Sequence, residues 1–249
     1  MLDIDIHYKP FGFFPRKRIR KTMLPIHWSE LSPKQLCAVS DFRRGLLQGP
    51  EVLQIFLGVN RSFAKRIDSF QKYCILKYLR YLEEPEPVEK FIINRISTIK
   101  APSTRLENVT IGAYVLGDTY YQNYLEGNNE DLNRFIACFY TGVIGYDEKL
   151  IDIHAKLLRR TDLRIREAVA LNYELIREWL IKTYPNVFRM NSELKDLREY
   201  KNWLDIFNMM CENDEVKRKI YLQTPVNKML KQIDSEGGIY LSTRNYCFS

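Results

Sequence analysis

The stretch 162–184, DLRIREAVALNYELIREWLIKTY, constrains the fold more than any other part of the chain. Leu163, Val169, Tyr173, Ile176 and Leu180 form a core-facing stripe at helical spacing, and Pro185 ends the run. A stripe of that length needs other helices to lie against. Shorter stripes of the same period recur along the sequence. The expected fold is therefore mainly α, a bundle-like array of seven to nine helices with a minor β element near the N-terminus.

That β element is residues 2–8, LDIDIHY, where Leu2, Ile4 and Ile6 alternate with Asp3, Asp5 and His7. Residues 9–23, with KPFGFFP and then RKRIRK, read as an extended arm. Helical signals begin at Ser32-Pro33-Lys34-Gln35, where a cap, a first-turn proline and a reciprocal Gln combine. Leu36, Val39, Phe42 and Leu46 continue it, with Gly49 as its end and Pro50 opening a helix that stops near Gly58. Residues 61–83 read as one long helix or two short ones, with Phe63, Ile67, Phe70, Cys74 and Leu82 on one side.

Glu83-Glu84-Pro85-Glu86-Pro87 then breaks the pattern, because each proline removes a donor and biases its predecessor away from helix. The expected division is an N-terminal strand and basic arm (1–30), a helical subdomain (31–84) and a main helical domain (88–249). One continuous domain from residue 31 is the alternative. Residues 91–106 suit either a strand or a buried helical turn. Thr110 caps a helix over 111–126 that ends before Gly127. A helix opened by Asn129, Glu130 and Asp131 carries Leu132, Phe135, Ile136 and Phe139, with Gly142 closing it. Ser192 caps a helix through about Cys211 with Leu194, Leu197, Trp203, Leu204 and Phe207. Thr224-Pro225 starts the last helix, which stops at Gly237-Gly238; the tail 239–249 suits a strand or disorder.

Composition narrows the function. Of 249 residues, 45% are hydrophobic, an ordinary globular share. No apolar run approaches the roughly 18–20 residues of a membrane span, and the first residues lack the basic-then-apolar order of a signal peptide. The expectation is a soluble, unsecreted chain. Lys and Arg number 38 against 31 Asp and Glu, and the resulting +7 favours acidic partners. Five cysteines, Cys37, Cys74, Cys138, Cys211 and Cys247, are too far apart for a zinc motif and odd in number, so reduced thiols are expected.

No phosphate-binding glycine loop or nucleophile-elbow motif is present. His7, His27 and His154 are not spaced for metal or for one another, and His154 beside Asp152 reads as a surface pair. Asp118, Glu126, Glu130 and Asp131 could form an acid pair, although helix-start acids have the simpler dipole explanation. Asn108-Val109-Thr110 matches a glycosylation sequon, with Thr110 better used as a cap. No catalytic residue, cofactor site or metal site is assigned.

Two binding readings remain. Arg16, Lys17, Arg18, Arg20 and Lys21, preceded by Phe11, Phe13 and Phe14, could contact phosphates and stack on bases; the alternative is a solvated arm. Tyrosines cluster as Tyr73, Tyr78 and Tyr81 and as Tyr120, Tyr121 and Tyr124, of types found both in cores and at interfaces. Met209 and Met210, near Trp203 and Phe207, make a soft apolar patch that could accept a partner helix or line a core.

Three stretches together carry a family resemblance. They are Leu24-Pro25-Ile26-His27-Trp28-Ser29-Glu30-Leu31-Ser32 with Gln35; Leu106 to Gly112 with its Tyr-rich helix and FIACFY; and Tyr200 to Leu204 through Gln223-Thr224-Pro225 to Leu230. The chain resembles small helical tail-assembly proteins of tailed phages and prophages, particularly those of Bacteroides-like bacteria. Relatives carry an acidic residue after the TIG, where this chain has Ala113. The resemblance implies a non-enzymatic morphogenesis protein in the host cytoplasm, a tail assembly chaperone holding an aggregation-prone component such as the tape-measure protein. Trp203, Phe207, Met209 and Met210 would then form the groove for that partner. A virion component of tail or neck is the alternative, and a homo-oligomer is compatible with either.

Overall fold

In the computed structural model the described residues are 1–8, 18–140, 147–188 and 203–235. The chain forms two compact units, Met1–Val88 and Glu89–Ser249, divided directly after the Glu83–Pro87 segment. The architecture is mainly α, with eleven α-helices and two small two-stranded sheets among the described residues.

In the first unit, β1 (Leu2–Tyr8) pairs antiparallel with β2 (Arg18–Leu24), from Leu2 opposite Leu24 to Tyr8 opposite Arg18. The expected arm over 9–23 is therefore corrected from residue 18 onward. RIRKTML puts its apolar Ile19 and Met23 on the exposed face, so period-two hydrophobicity does not announce it. The outer edge of β1 is held by a bridge from Tyr8 to Ile67 and by Gln71, which accepts from the His7 amide at 2.9 Å and donates to the Asp5 carbonyl at 2.6 Å. Such cover keeps an open strand edge from pairing with other chains.

Four helices follow. In α1 (Pro33–Arg43) the Ser32 hydroxyl accepts from the Gln35 amide and the Gln35 side chain accepts from the Ser32 amide, as the sequence implies. The helix ends at Arg43 rather than near Gly49. Gly45, at φ +71°, takes the left-handed position, and the Leu46 amide reaches back to the Asp41 carbonyl at 2.8 Å. Next come α2 (Gly49–Phe56), α3 (Arg61–Arg66) and α4 (Ser69–Tyr78), then a 3₁₀ turn over Leu79–Glu83. Residues 61–83 thus hold two α-helices, because Ile67 is extended to bridge Tyr8 and Asp68 recaps the chain. The break resets the helical phase. Phe63 and Ile67 are buried, but Phe70, expected on the same side, is 75% exposed.

Trp28 is the centre of this unit. It is fully buried, and its indole N–H donates to the carbonyls of Tyr81 at 3.1 Å and Glu84 at 2.9 Å. The Arg43 guanidinium lies over its ring at 5.2 Å. Ile6, Leu24, Leu36, Phe56 and Leu57 close the core around it.

The second unit opens with a buried irregular run through Phe91, Ile92 and Ile93, then β3 (Arg95–Ile96) and β4 (Ile99–Lys100) as a tight hairpin. The 91–106 stretch is thus not one full strand: it holds this hairpin and, over Thr104–Leu106, a 3₁₀ turn with Leu106 buried. Asn172 satisfies the run, accepting from the Ile92 amide at 2.5 Å and donating to the Lys90 carbonyl at 3.2 Å. The helices are α5 (Ile111–Leu125), α6 (Asp131–Phe139), α7 (Glu148–Leu158), α8 (Leu163–Thr183), α9 (Trp203–Cys211), α10 (Glu215–Leu222) and α11 (Val226–Ser235). Sequence patterning does not single out α7 and α10, although Asp147 and Asp214 cap them. The Ser192 cap, Leu194, Leu197, Gly142, Gly237-Gly238 and the 239–249 tail lie outside the described residues.

Two motifs of the resemblance meet here. Thr110, which caps α5, and Pro225, before α11, form an antiparallel bridge: the Ile111 amide donates to Thr224 and the Val226 amide to Val109, both at 2.8 Å. The core is a chain of rings in which Tyr173 meets Tyr121, Phe135 and Phe139 at 4.8–5.0 Å between centroids. Gly117 lets α6 approach α5. A Cβ there would lie 2.6 Å from the Phe139 ring and 3.1 Å from Cys138 Cβ. The crowded ring cannot step aside, so overpacking outweighs the helix-propensity gain. Gly117→Ala is expected to destabilise the protein by about 1–3 kcal/mol, read as a lower urea midpoint in near-ultraviolet circular dichroism.

Candidate functional site

One concentration of ionisable groups is buried in the second unit. α5 supplies Asp118, and α8 supplies Tyr173 and Arg177 one turn apart. The Tyr173 hydroxyl donates to Asp118 Oδ1 at 3.0 Å, and Arg177 Nε lies 3.3 Å from the same oxygen. Arg177 also sits over the Tyr121 ring at 5.5 Å. A carboxylate, a guanidinium and a phenol could serve acid–base chemistry. Here, however, Asp118 is 1% exposed, and burial, followed by the Asp118 charge, raises the Tyr173 phenol well above its ordinary value. The phenol keeps its proton at physiological pH, and a substrate would have to part α5 from α8 to reach the carboxylate. The cluster fixes those two helices together.

The remaining acids have separate duties. Asp131, 2% exposed at the start of α6, accepts from Asn123 at 2.9 Å, Asn128 at 3.0 Å and Arg134 at 3.2 Å. Asp118 and Asp131 are thus held by different partners rather than as an acid pair. Asp152 approaches Arg134 at 3.9 Å, not His154, which corrects the expected His154–Asp152 pair.

The first unit offers an accessible site. An open hollow of about 630 Å³ lies among α1, α2, α4 and the Leu79–Glu83 turn. Val39, Val52 and Leu79, all buried, form its floor, and Phe42, Tyr73 and Leu76, 40–65% exposed, form its walls. A second hollow of about 420 Å³ among α2, α3 and α4 borders the first at Gly49 and Leu76, and these two neighbouring hollows make up the trough beside α4. The origin is α4, SFQKYCILKY, in which six apolar or aromatic residues are mixed with Lys72 and Lys77 and form no single stripe. Within α4 only Ile75 is buried. Phe70, Tyr73, Leu76 and Tyr78 face outward.

The residues singled out in the sequence are placed elsewhere. Trp203 and Phe207 on α9 are 2% and 3% exposed, so they serve the unit's own core rather than an open groove. Trp203 packs edge-on against Tyr114 at 5.3 Å and Phe188 at 5.5 Å, and Arg218 lies over Phe207 at 5.7 Å. Met210 is half-buried; the side chain of Met209 lies outside the described residues. In the basic run, Arg16 and Lys17 lie outside the described residues, as do Phe11, Phe13 and Phe14. Arg18, Arg20 and Lys21 belong to β2, with Arg20 over the Phe63 ring at 5.3 Å and Lys21 opposite Asp5. Alternation in the strand sends Arg20 and Lys21 to opposite faces. Sequence reading missed the trough. Its signal was the close set Tyr73, Tyr78 and Tyr81, of which Tyr73 lines the trough and Tyr81 instead donates to the Pro25 carbonyl at 3.2 Å.

Among the described residues Cys37, Cys74, Cys138 and Cys211 form no disulfide, no cluster of three or more metal-ligating side chains occurs, and no helix is long and apolar enough to cross a membrane. Comparison of the chain with protein-family models, curated proteins and solved structures gave no match.

Removing the buried carboxylate would take away the oxygen that Tyr173 and Arg177 share. Asp118→Ala is expected to cost about 3–5 kcal/mol, against about 1 kcal/mol for Tyr173→Phe. Equilibrium urea unfolding of both variants measures the difference.

Proposed function

We propose that this chain is a non-enzymatic phage or prophage morphogenesis protein, a tail assembly chaperone that covers an apolar stretch of a tail component until the tube forms around it. The observation that carries the reading is the exposed apolar trough beside α4. A soluble protein gains nothing by showing Phe42, Tyr73 and Leu76 to water, and exposed apolar patches mark sites where another protein sits. The resemblance in the Leu24–Gln35, Leu106–Gly112 and Thr224–Leu230 stretches supplies the biological setting, the host cytoplasm. A tape-measure protein is the fitting client, since a long helix with an apolar stripe aggregates unless covered.

Leu76 is half in water, so Leu76→Asp leaves the fold within about 1 kcal/mol of wild type while placing a charge in the trough. Coexpression of a tape-measure protein with the wild-type chain is expected to keep it in the soluble fraction, and coexpression with Leu76→Asp is not. Purified particles are expected to lack the chain. Its presence there in fixed copy number would make it a virion component instead.

A further inference from the structure

We infer that the α4 trough receives an acidic amphipathic helix, with its apolar stripe on the trough floor and its carboxylates on a cationic rim. The inference rests on the reading above that this chain covers a segment of another protein; it adds the chemistry of that segment.

The first argument is charge. Residues 1–88 carry 15 Lys and Arg against 9 Asp and Glu, so they hold +6 of the +7 on the whole chain. Residues 9–21 hold six of these cations and no acid, so the rest of the unit is balanced overall, and cations outnumber acids locally at the trough. Arg43, Lys77 and Arg80 line the larger hollow against Glu83 alone. Arg61, Lys65 and Lys72 line the smaller one against Glu51 alone. Six cations and two carboxylates therefore flank one apolar strip, and like charge on an incoming segment would be repelled.

The second argument is shape. The trough runs beside α4, whose ten residues span about 15 Å at the ordinary helical rise. That is the length of roughly three turns. In the larger hollow Val39, Val52 and Leu79 make an apolar floor for the stripe of a facing helix, and Leu53, Ala64 and Ile67 line the smaller one. Lys65 and Lys77 are exposed and Lys72 is half-buried, so their ammonium groups stand where carboxylates beside that stripe would arrive.

The test uses the full chain and two labelled synthetic helices of about 18 residues, with the same leucine stripe and either glutamates or lysines beside it. Fluorescence anisotropy is expected to show the glutamate peptide binding at least about tenfold more tightly than the lysine peptide. That binding should weaken as salt rises from about 50 to about 500 mM. Leu76→Asp should abolish it, and the triple variant Lys65→Glu, Lys72→Glu, Lys77→Glu should invert the preference. Equal binding of the two peptides, binding of neither, or glutamate-peptide binding untouched by Leu76→Asp overturns the inference. The same preparations are then scored for keeping a tape-measure fragment in solution. If the fragment is kept soluble but the peptides are not discriminated, the acidic-helix assignment falls and the chaperone reading stands. If the peptides are discriminated but the fragment precipitates, the chaperone reading falls and the assignment stands.

Discussion

Helix α4 has more apolar surface than its own unit buries. The chain behind it is already committed: Ile67 is extended to bridge Tyr8, and Gln71 is spent on the edge of β1. Asp68 must therefore restart the helix in a new phase, which turns Ile75 toward the core and leaves Phe70, Tyr73, Leu76 and Tyr78 facing water. Exposing four large side chains forgoes several kcal/mol of burial. The capping box of α1, the twice-bonded Trp28 indole and the Gln71 clamp hold the unit together without that contribution.

The second unit shows the opposite economy. Its largest rings are buried against one another, and three of its buried polar side chains are answered: Asp118 by Tyr173 and Arg177, Asp131 by three donors, Asn172 by the Lys90–Ile92 backbone. Buried ionic groups held this tightly fix the relative placement of helices but offer little to a substrate. This contrast is why function is placed on the trough, where apolar surface is open, rather than on the buried cluster, where chemistry is present but sealed.

Elements announced by local chemistry were readable in the sequence: the Ser32–Gln35 box, the Thr110 cap, the α8 stripe from Val169 to Leu180 and the alternation of β1 have the structures their residues imply, whereas Leu163, at the head of that stripe, is 44% exposed. Where tertiary contacts decide, the sequence was silent. Leu46 is in phase with α1, yet Gly45 adopts the left-handed conformation and ends the helix first. β2 hides because its apolar side chains point outward and its pairing to β1 supplies the order. Trp203 and Phe207 have the residue types of an interface and the burial of a core. The trough was unreadable for the same reason. SFQKYCILKY has no single apolar stripe, and only packing reveals which of its apolar residues find no neighbour in their own unit.

The central claim is that the trough, and not some other apolar spot, meets another protein during particle assembly. Photo-crosslinking in infected or induced cells addresses it directly, with the reactive side chain placed at position 76 and, as a control, at position 216 on α10, where Val216 is 68% exposed outside the trough. The account predicts crosslinks to one tail component from position 76 and none to it from position 216. Equal crosslinking from both positions, or none from position 76, would contradict it.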